Sequence, residues 1–184
     1  MGYGDIFSGI MRKAIEREES ELKTLRKQGW NPKITDDSLR KYYEAWIWPA
    51  FLKEAMCNAS CPALAFEQGG RADCSFLEDA ETKATFELKP FFPASPHPQY
   101  FARILLDFKK QLRRAKETPA LEHYVVLIPW GEIAEIQKWK KEQLEPRVIE
   151  ENPEIKLQEI PTPPPITLNN NADGEALIIV FRVT

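Results

Sequence analysis

The chain has 184 residues, 43% hydrophobic side chains and a formal net charge of −3, which suits one well-formed core and is too little for two comfortable domains. That balance excludes a polycation, so any contact with nucleic acid has to come from a local basic surface. Three cysteines, Cys57, Cys61 and Cys74, without a secretory leader or an apolar run near the roughly 20 residues that span a bilayer, argue for a soluble cytoplasmic protein with reduced thiols and no disulfide framework.

In chain order, Ile6, Ile10, Ala14, Leu22 and Leu25 fall at helical spacing, and Gly29 stops the helix they define over residues 5–28. Its dense charge between Arg12 and Lys27 fits a solvated helix lying over the core or extending from it, or else a contact in a homodimer. Trp30-Asn31-Pro32 breaks the chain, and Thr35-Asp36-Asp37 offers an N-cap for a second, mostly buried helix to about Met56, locally kinked at Pro49. Cys61–Glu67 reads as a short strand closed by the turn Gln68-Gly69-Gly70. After the stretch 70–92, the run Pro93-Ala94-Ser95-Pro96-His97-Pro98 is a stiff connector. The helix from about Gln99 to Lys116 buries Phe101, Ile104, Leu105, Phe108 and Leu112 and turns Arg103, Lys109, Lys110, Arg113, Arg114 and Lys116 outward.

Tyr124–Pro129 lacks alternation and reads as a strand covered on both faces, completing a strand-helix-strand crossover. A helix from Glu132 to about Gln143, extended towards Glu150 past Pro146, packs Ile133, Ile136 and Trp139 on the sheet. Ile155–Ile160 is an edge strand, Pro161–Pro165 a rigid linker, and Ala176–Val183 the final strand. The fold class is therefore α/β, a central mixed sheet flanked by helices. As one domain it divides into a helical extension (1–35), a core (36–145) and C-terminal strands with a proline-rich linker (146–184).

The stretch 70–92 carries the chemistry. Arg71–Leu77 and Lys83–Phe92 are rich in strand formers, with Glu78-Asp79-Ala80-Glu81 as the reversal. Alternation puts Thr85, Glu87 and Lys89 on one face and Ala84, Phe86 and Leu88 on the other; on the partner strand Asp73 and Ser75 oppose Cys74 and Phe76. An odd-length loop centred on Ala80 pairs Leu77 with Lys83, Ser75 with Thr85 and Asp73 with Glu87. Two carboxylates directly opposite each other destabilise a sheet unless something positive sits between them, and Lys89 or a divalent cation is the candidate.

Asp73, followed on the next strand by Glu87-Leu88-Lys89, resembles the PD-(D/E)xK nuclease superfamily, and the order of elements over roughly residues 36–140 is similar to that family's restriction-endonuclease-like core. Glu-x-Lys also occurs at Glu21, Glu81 and Glu154. Only Glu87-Leu88-Lys89 lies in an apolar strand, after an Asp-bearing strand and before an amphipathic helix. Ala72 stands where the family's Pro precedes the Asp.

The resemblance implies a metal-dependent nuclease acting on DNA. Asp73, Glu87 and the Leu88 carbonyl would hold Mg²⁺ or Mn²⁺, since such ions take hard oxygen ligands, and Lys89 would stabilise the charge that develops on the phosphoryl group. It also implies an acidic residue from the helix before the sheet, here Glu44, with Glu54 as the substitute, and a Gln after the Glu-x-Lys strand, here Gln99. Arg103, Lys109, Lys110, Arg113 and Arg114 form the best phosphate-facing surface in the chain. The rival expectation is a nucleic-acid-binding or structural protein that keeps the fold without turnover. Cys57, Cys61, Cys74 and His97 lack the spacing of a zinc site and read as buried free thiols and a loop histidine. With His97 and His123 the only histidines, no Ser-His-Asp or Cys-His arrangement has a setting.

Overall fold

The computed structural model describes residues 2–29, 47–66, 73–91, 98–161, 163–168 and 174–184. Helix α1 spans Tyr3–Lys27, and residues 47–56 form the described part of helix α2. Strands β1 (Ala63–Ala65), β2 (Cys74–Glu78) and β3 (Glu81–Phe91) follow as an antiparallel meander. Helix α3 (Pro98–Glu117) then crosses to β4 (Glu122–Gly131), which runs parallel to β3. Two short helices, α4 (Ile133–Trp139) and α5 (Glu145–Glu151), are joined by a wider π turn at Lys140–Leu144. Pro146, in the first turn of α5 and without an N–H to give, explains why the helix loosens there but continues. The chain closes with β5 (Leu157–Ile160), β6 (Ile166–Leu168), β7 (Gly174–Ala176) and β8 (Ile179–Val183). The result is a mixed α/β architecture. Among the described residues no helix is long and apolar enough to cross a membrane.

The sheet buries both faces. On one side α1 and α2 pack Phe7, Ile10, Met11, Ile15, Ile47 and Phe51 against Phe76, Phe86, Tyr124 and Val126. On the other, α3, α4 and α5 pack Ile104, Phe108, Ile136, Trp139 and Val148 against Val125, Leu127, Ile179 and Phe181. Burial on two faces is what makes β4 apolar from Tyr124 to Trp130, with every residue from His123 to Trp130 buried. The first half of α1 is core rather than an extension. Phe7 stacks on Phe86 at 4.3 Å and on Phe51 at 4.5 Å, so the apolar face of this first half packs on its own sheet.

The turn between β2 and β3 differs from the sequence reading. The hairpin tip is a two-residue loop in which Asp79 and Ala80 both have positive φ, 51° and 62°, the geometry that matches strand twist. Leu77 therefore pairs with Thr82 instead of Lys83, and a bulge at Lys83 restores the expected register by Phe76↔Ala84 and Ser75↔Thr85. Asp tolerates the left-handed region, whereas Ala is strained there. Ala80→Gly should accordingly raise stability by about 1 kcal/mol, seen as a higher urea midpoint at unchanged slope; a lower midpoint would contradict the left-handed turn.

The final strand is split in name only. Leu127↔Ile179 and Trp130↔Ala176 belong to one register on β4, and the ladder lapses opposite Pro129, which has no N–H, although its carbonyl still accepts from the Leu177 amide at 3.1 Å. Strand β6, inside the stretch beyond the proline linker, had no sequence signal; it pairs with β7 as a small hairpin. Of the thiols, only Cys74 is buried; Cys61 is half-buried and Cys57 exposed, because the segment after α2 runs at the surface.

Candidate functional site

The apolar face of β3 fixes the polar one. With Ala84, Phe86 and Leu88 locked into the α1 side of the sheet, Thr85, Glu87 and Lys89 must face α3. One residue beyond the Cys74↔Phe86 pair stand Asp73 and Glu87. The Asp73 carboxylate turns back onto the neighbouring strand, where Oδ2 accepts a 2.8 Å hydrogen bond from the Leu88 amide. Asp73 is half-buried and Glu87 is 1% exposed.

Helix α3 supplies what faces these groups. Its residues Asp107, Lys110, Gln111 and Arg114 recur at i, i+3, i+4 and i+7, a stripe beside the apolar one, and lean over β3. Arg114 Nη1 donates to Glu87 Oε1 at 2.7 Å. Asp107, with a side chain 2% exposed, takes Lys89 Nζ at 3.2 Å on Oδ2 and Lys110 Nζ at 3.1 Å on Oδ1. Farther along, the Thr85 hydroxyl lies 3.1 Å from Gln111 Oε1 and 2.9 Å from His123 Nδ1, and Gln111 Nε2 donates to the Tyr124 carbonyl at 3.0 Å. The His123 Nε2–H donates to the Thr118 carbonyl at 3.1 Å, because a carbonyl can only accept. Burial holds His123 below its ordinary range, aided by the charges of Arg114 and Arg182 against the Thr118 hydrogen bond.

The electrostatics are set by crowding under the helix. Burial, then the neighbouring Asp73 charge, pushes Glu87 up to about 7, with Arg114 pulling the other way. For Lys89 burial pulls downward, but Asp107, Asp73 and Glu87 outweigh it and leave the ammonium raised. A carboxyl ordinarily at 4.5 and at about 7 when folded keeps its proton longer in the native state. Its contribution to stability is thus full below pH 4.5 and is lost as pH rises through 7. In metal-free protein, wild type should therefore lose about 3 kcal/mol relative to Glu87→Gln across that window. Paired urea melts of the two proteins from pH 4.5 to 8 measure it, and a difference independent of pH would rule it out.

Of the residues expected at the site, Asp73, Glu87 and Lys89 come together on the α3 side of the sheet. Glu44 lies outside the described residues, as does the side chain of Gln99, whose backbone forms the first turn of α3. Glu54 is drawn elsewhere, to Arg17 of α1 at 2.6 Å. On α3, Arg103, Lys109 and Arg113 are exposed as expected. Arg114 is not; its side chain is only 14% exposed because it reaches inward to Glu87. Lys110 is half-buried against Asp107. The Glu-x-Lys at Glu81 is a surface ion pair with Lys83. Asp107 and Gln111 escaped the sequence reading. Their signal was an acid and an amide in phase with Arg114 on a helix otherwise basic on its polar side.

Among the described residues no three His, Cys, Asp or Glu side chains form a ligand cluster. The available side-chain donors are the Asp73 and Glu87 carboxylates, oxygen ligands of the kind a hard divalent cation takes. Burial and the Asp73 charge both disfavour the ionised form of Glu87, and its Oε1 already accepts from Arg114. No family model and no curated protein sequence matches the chain.

Proposed function

We propose that the chain is a metal-dependent nuclease acting on DNA, with a restriction-endonuclease-like core. The observation that carries this reading is the meeting of Asp73 with Glu87 and Lys89 at the junction of β2 and β3, where the Asp73 carboxylate is tied to the Leu88 amide. Support also comes from the succession of helix, three antiparallel strands, crossover helix and parallel strand, in the same order as in the PD-(D/E)xK nucleases that the sequence resembles. Mg²⁺ or Mn²⁺ bound there would lower the pKa of a coordinated water and offset phosphoryl charge. Asp73, Glu87 and the Leu88 carbonyl would hold the ion. Lys89, kept cationic among carboxylates, stabilises charge on the scissile phosphate.

One observation favours a second reading, a nucleic-acid-binding protein without turnover. Glu87 is already paired with Arg114, and Asp107 with Lys89 and Lys110, so the site is neutralised internally. Incubation of wild type with single- and double-stranded DNA in Mg²⁺ and Mn²⁺, alongside melts with and without metal, separates the two. Cleavage with a metal-dependent rise in melting temperature supports the nuclease; neither effect leaves the binder.

Substrate binding would fall to the exposed cations of α3. Replacing Arg103, Lys109 and Arg113 with Gln should lower the slope of log K against log salt by about 2–3, near 0.7–0.9 for each phosphate that is no longer neutralised. An unchanged slope would show that these three side chains only solvate the helix.

A further inference from the structure

Asp107 is a carboxylate in an expensive place. Its side chain is 2% exposed, and among the described residues its Oδ2 makes no hydrogen bond of good geometry. The Lys89 ammonium lies 3.2 Å from that oxygen, a charge contact from strand β3 to helix α3, while Lys110 holds Oδ1. Burying a carboxylate costs several kcal/mol unless it is well paired, and an apolar residue at 107 would extend the stripe of Ile104, Leu105 and Phe108. The one thing an acid does here that an apolar residue cannot is fix a lysine that is itself only 24% exposed and two residues from Glu87.

We propose that Asp107 is the positioning residue of the site, holding the Lys89 ammonium beside the Asp73–Glu87 pair so that it meets the scissile phosphate without first being ordered. This rests on the nuclease reading above. Lysine carries four rotatable bonds, and an unheld ammonium at the end of that stem would spend most of its time out of register with the phosphate. Lys110, half-buried on the same carboxylate, keeps Asp107 from swinging out with its partner. Asp107 itself touches no reacting atom.

The experiment is a double-mutant cycle read by kinetics and by NMR. Asp107→Asn should lower kcat by about 10- to 100-fold, the usual cost of removing an outer-shell partner, with KM for a short duplex nearly unchanged. In a Lys89→Ala background the same substitution should cost less than about 3-fold, because a residue that acts through Lys89 has nothing left to position. Asp107→Glu, which keeps the charge, should retain more of the rate than Asp107→Asn and covers the case in which the latter does not fold. Equal losses in both backgrounds, or a full rate in Asp107→Asn, would overturn the proposal.

The second readout needs no turnover. In metal-free wild type the Lys89 ammonium should give a ¹⁵N–¹H signal, protected from exchange by its partner, that disappears in Asp107→Asn and persists in Asp107→Glu. Persistence in Asp107→Asn would show that Asp107 does not hold Lys89. If wild type cleaves nothing, the nuclease reading and the catalytic part of this role fall together, and the ammonium signal still decides whether the contact positions the lysine.

Discussion

Lys89→Ala is expected, on the nuclease reading proposed above, to cut DNA cleavage by about 10²-fold or more while Mn²⁺ binding persists, and Asp73→Ala to lose both. The scale is that of removing one preorganised electrostatic group from a transition state. The division follows from position. Lys89 pairs with Asp107 of α3 and supplies no oxygen, whereas Asp73 supplies a carboxylate whose second oxygen is not the one bound to the Leu88 amide. Single-turnover cleavage and Mn²⁺ titration on the same samples test it; loss of metal binding in Lys89→Ala would refute the division. Opposition of Asp73 to Glu87, as the sequence has it, suggests that Asp73→Ala should stabilise the metal-free fold. The bond to Leu88 changes that expectation for Asp73→Ala, which forfeits a hydrogen bond. Asp73→Asn keeps an acceptor, removes the charge that adds to burial in raising Glu87, and is the variant expected to melt higher without metal.

Phe86→Ala is expected to destabilise the protein by about 3–5 kcal/mol, a drop on the order of 10 °C in Tm for a chain of this size. Phe86 is fully buried and its ring is the hub of an aromatic cluster, 4.3 Å from Phe7, 4.8 Å from Phe76 and 5.0 Å from Tyr124. Truncation leaves a cavity between α1 and three strands, and rigid neighbours on all sides cannot collapse into it. Because Phe86 stands between Thr85 and Glu87 on β3, the same change should loosen the register of the site. A loss below about 1 kcal/mol in urea unfolding would mean that the cluster is not packed as described.

How far the sequence could be read depended on the range of the forces involved. Alternation along Ala84–Lys89 assigns faces from steric geometry alone, and parity of the hairpin fixed Ser75↔Thr85 even though its tip was mistaken. The long apolar run of β4 announced its double burial in the same way. What could not be read was which residue meets which across the crossover. The phase of α3 separates its apolar stripe from its polar side, but its rotation over β3 is settled by packing of Ile104, Phe108 and Leu112 against β4 and β8. A small rotation decides whether Arg114 faces water or Glu87. Left-handed Ala80 and the ladder gap at Pro129 are likewise local conformations in which a tertiary demand overrides residue preference.

Strand β8 lies inside the sheet, hydrogen-bonded to β4 on one side and β5 on the other. Its segment is made long after the β3–β4 crossover, so during synthesis β4 presents an unpaired edge, apolar from Tyr124 to Leu127, until residues 179–183 arrive. Such long-range closure slows folding, since loop entropy is spent before the contacts that reward it form. An exposed edge of this composition is also a template for pairing with other chains. The helices on either side of β4 can already cover its faces at that stage, but only β8 can cover its edge. Pairing of β8 is therefore expected to set both the rate at which the fold completes and the interval in which it is open to aggregation.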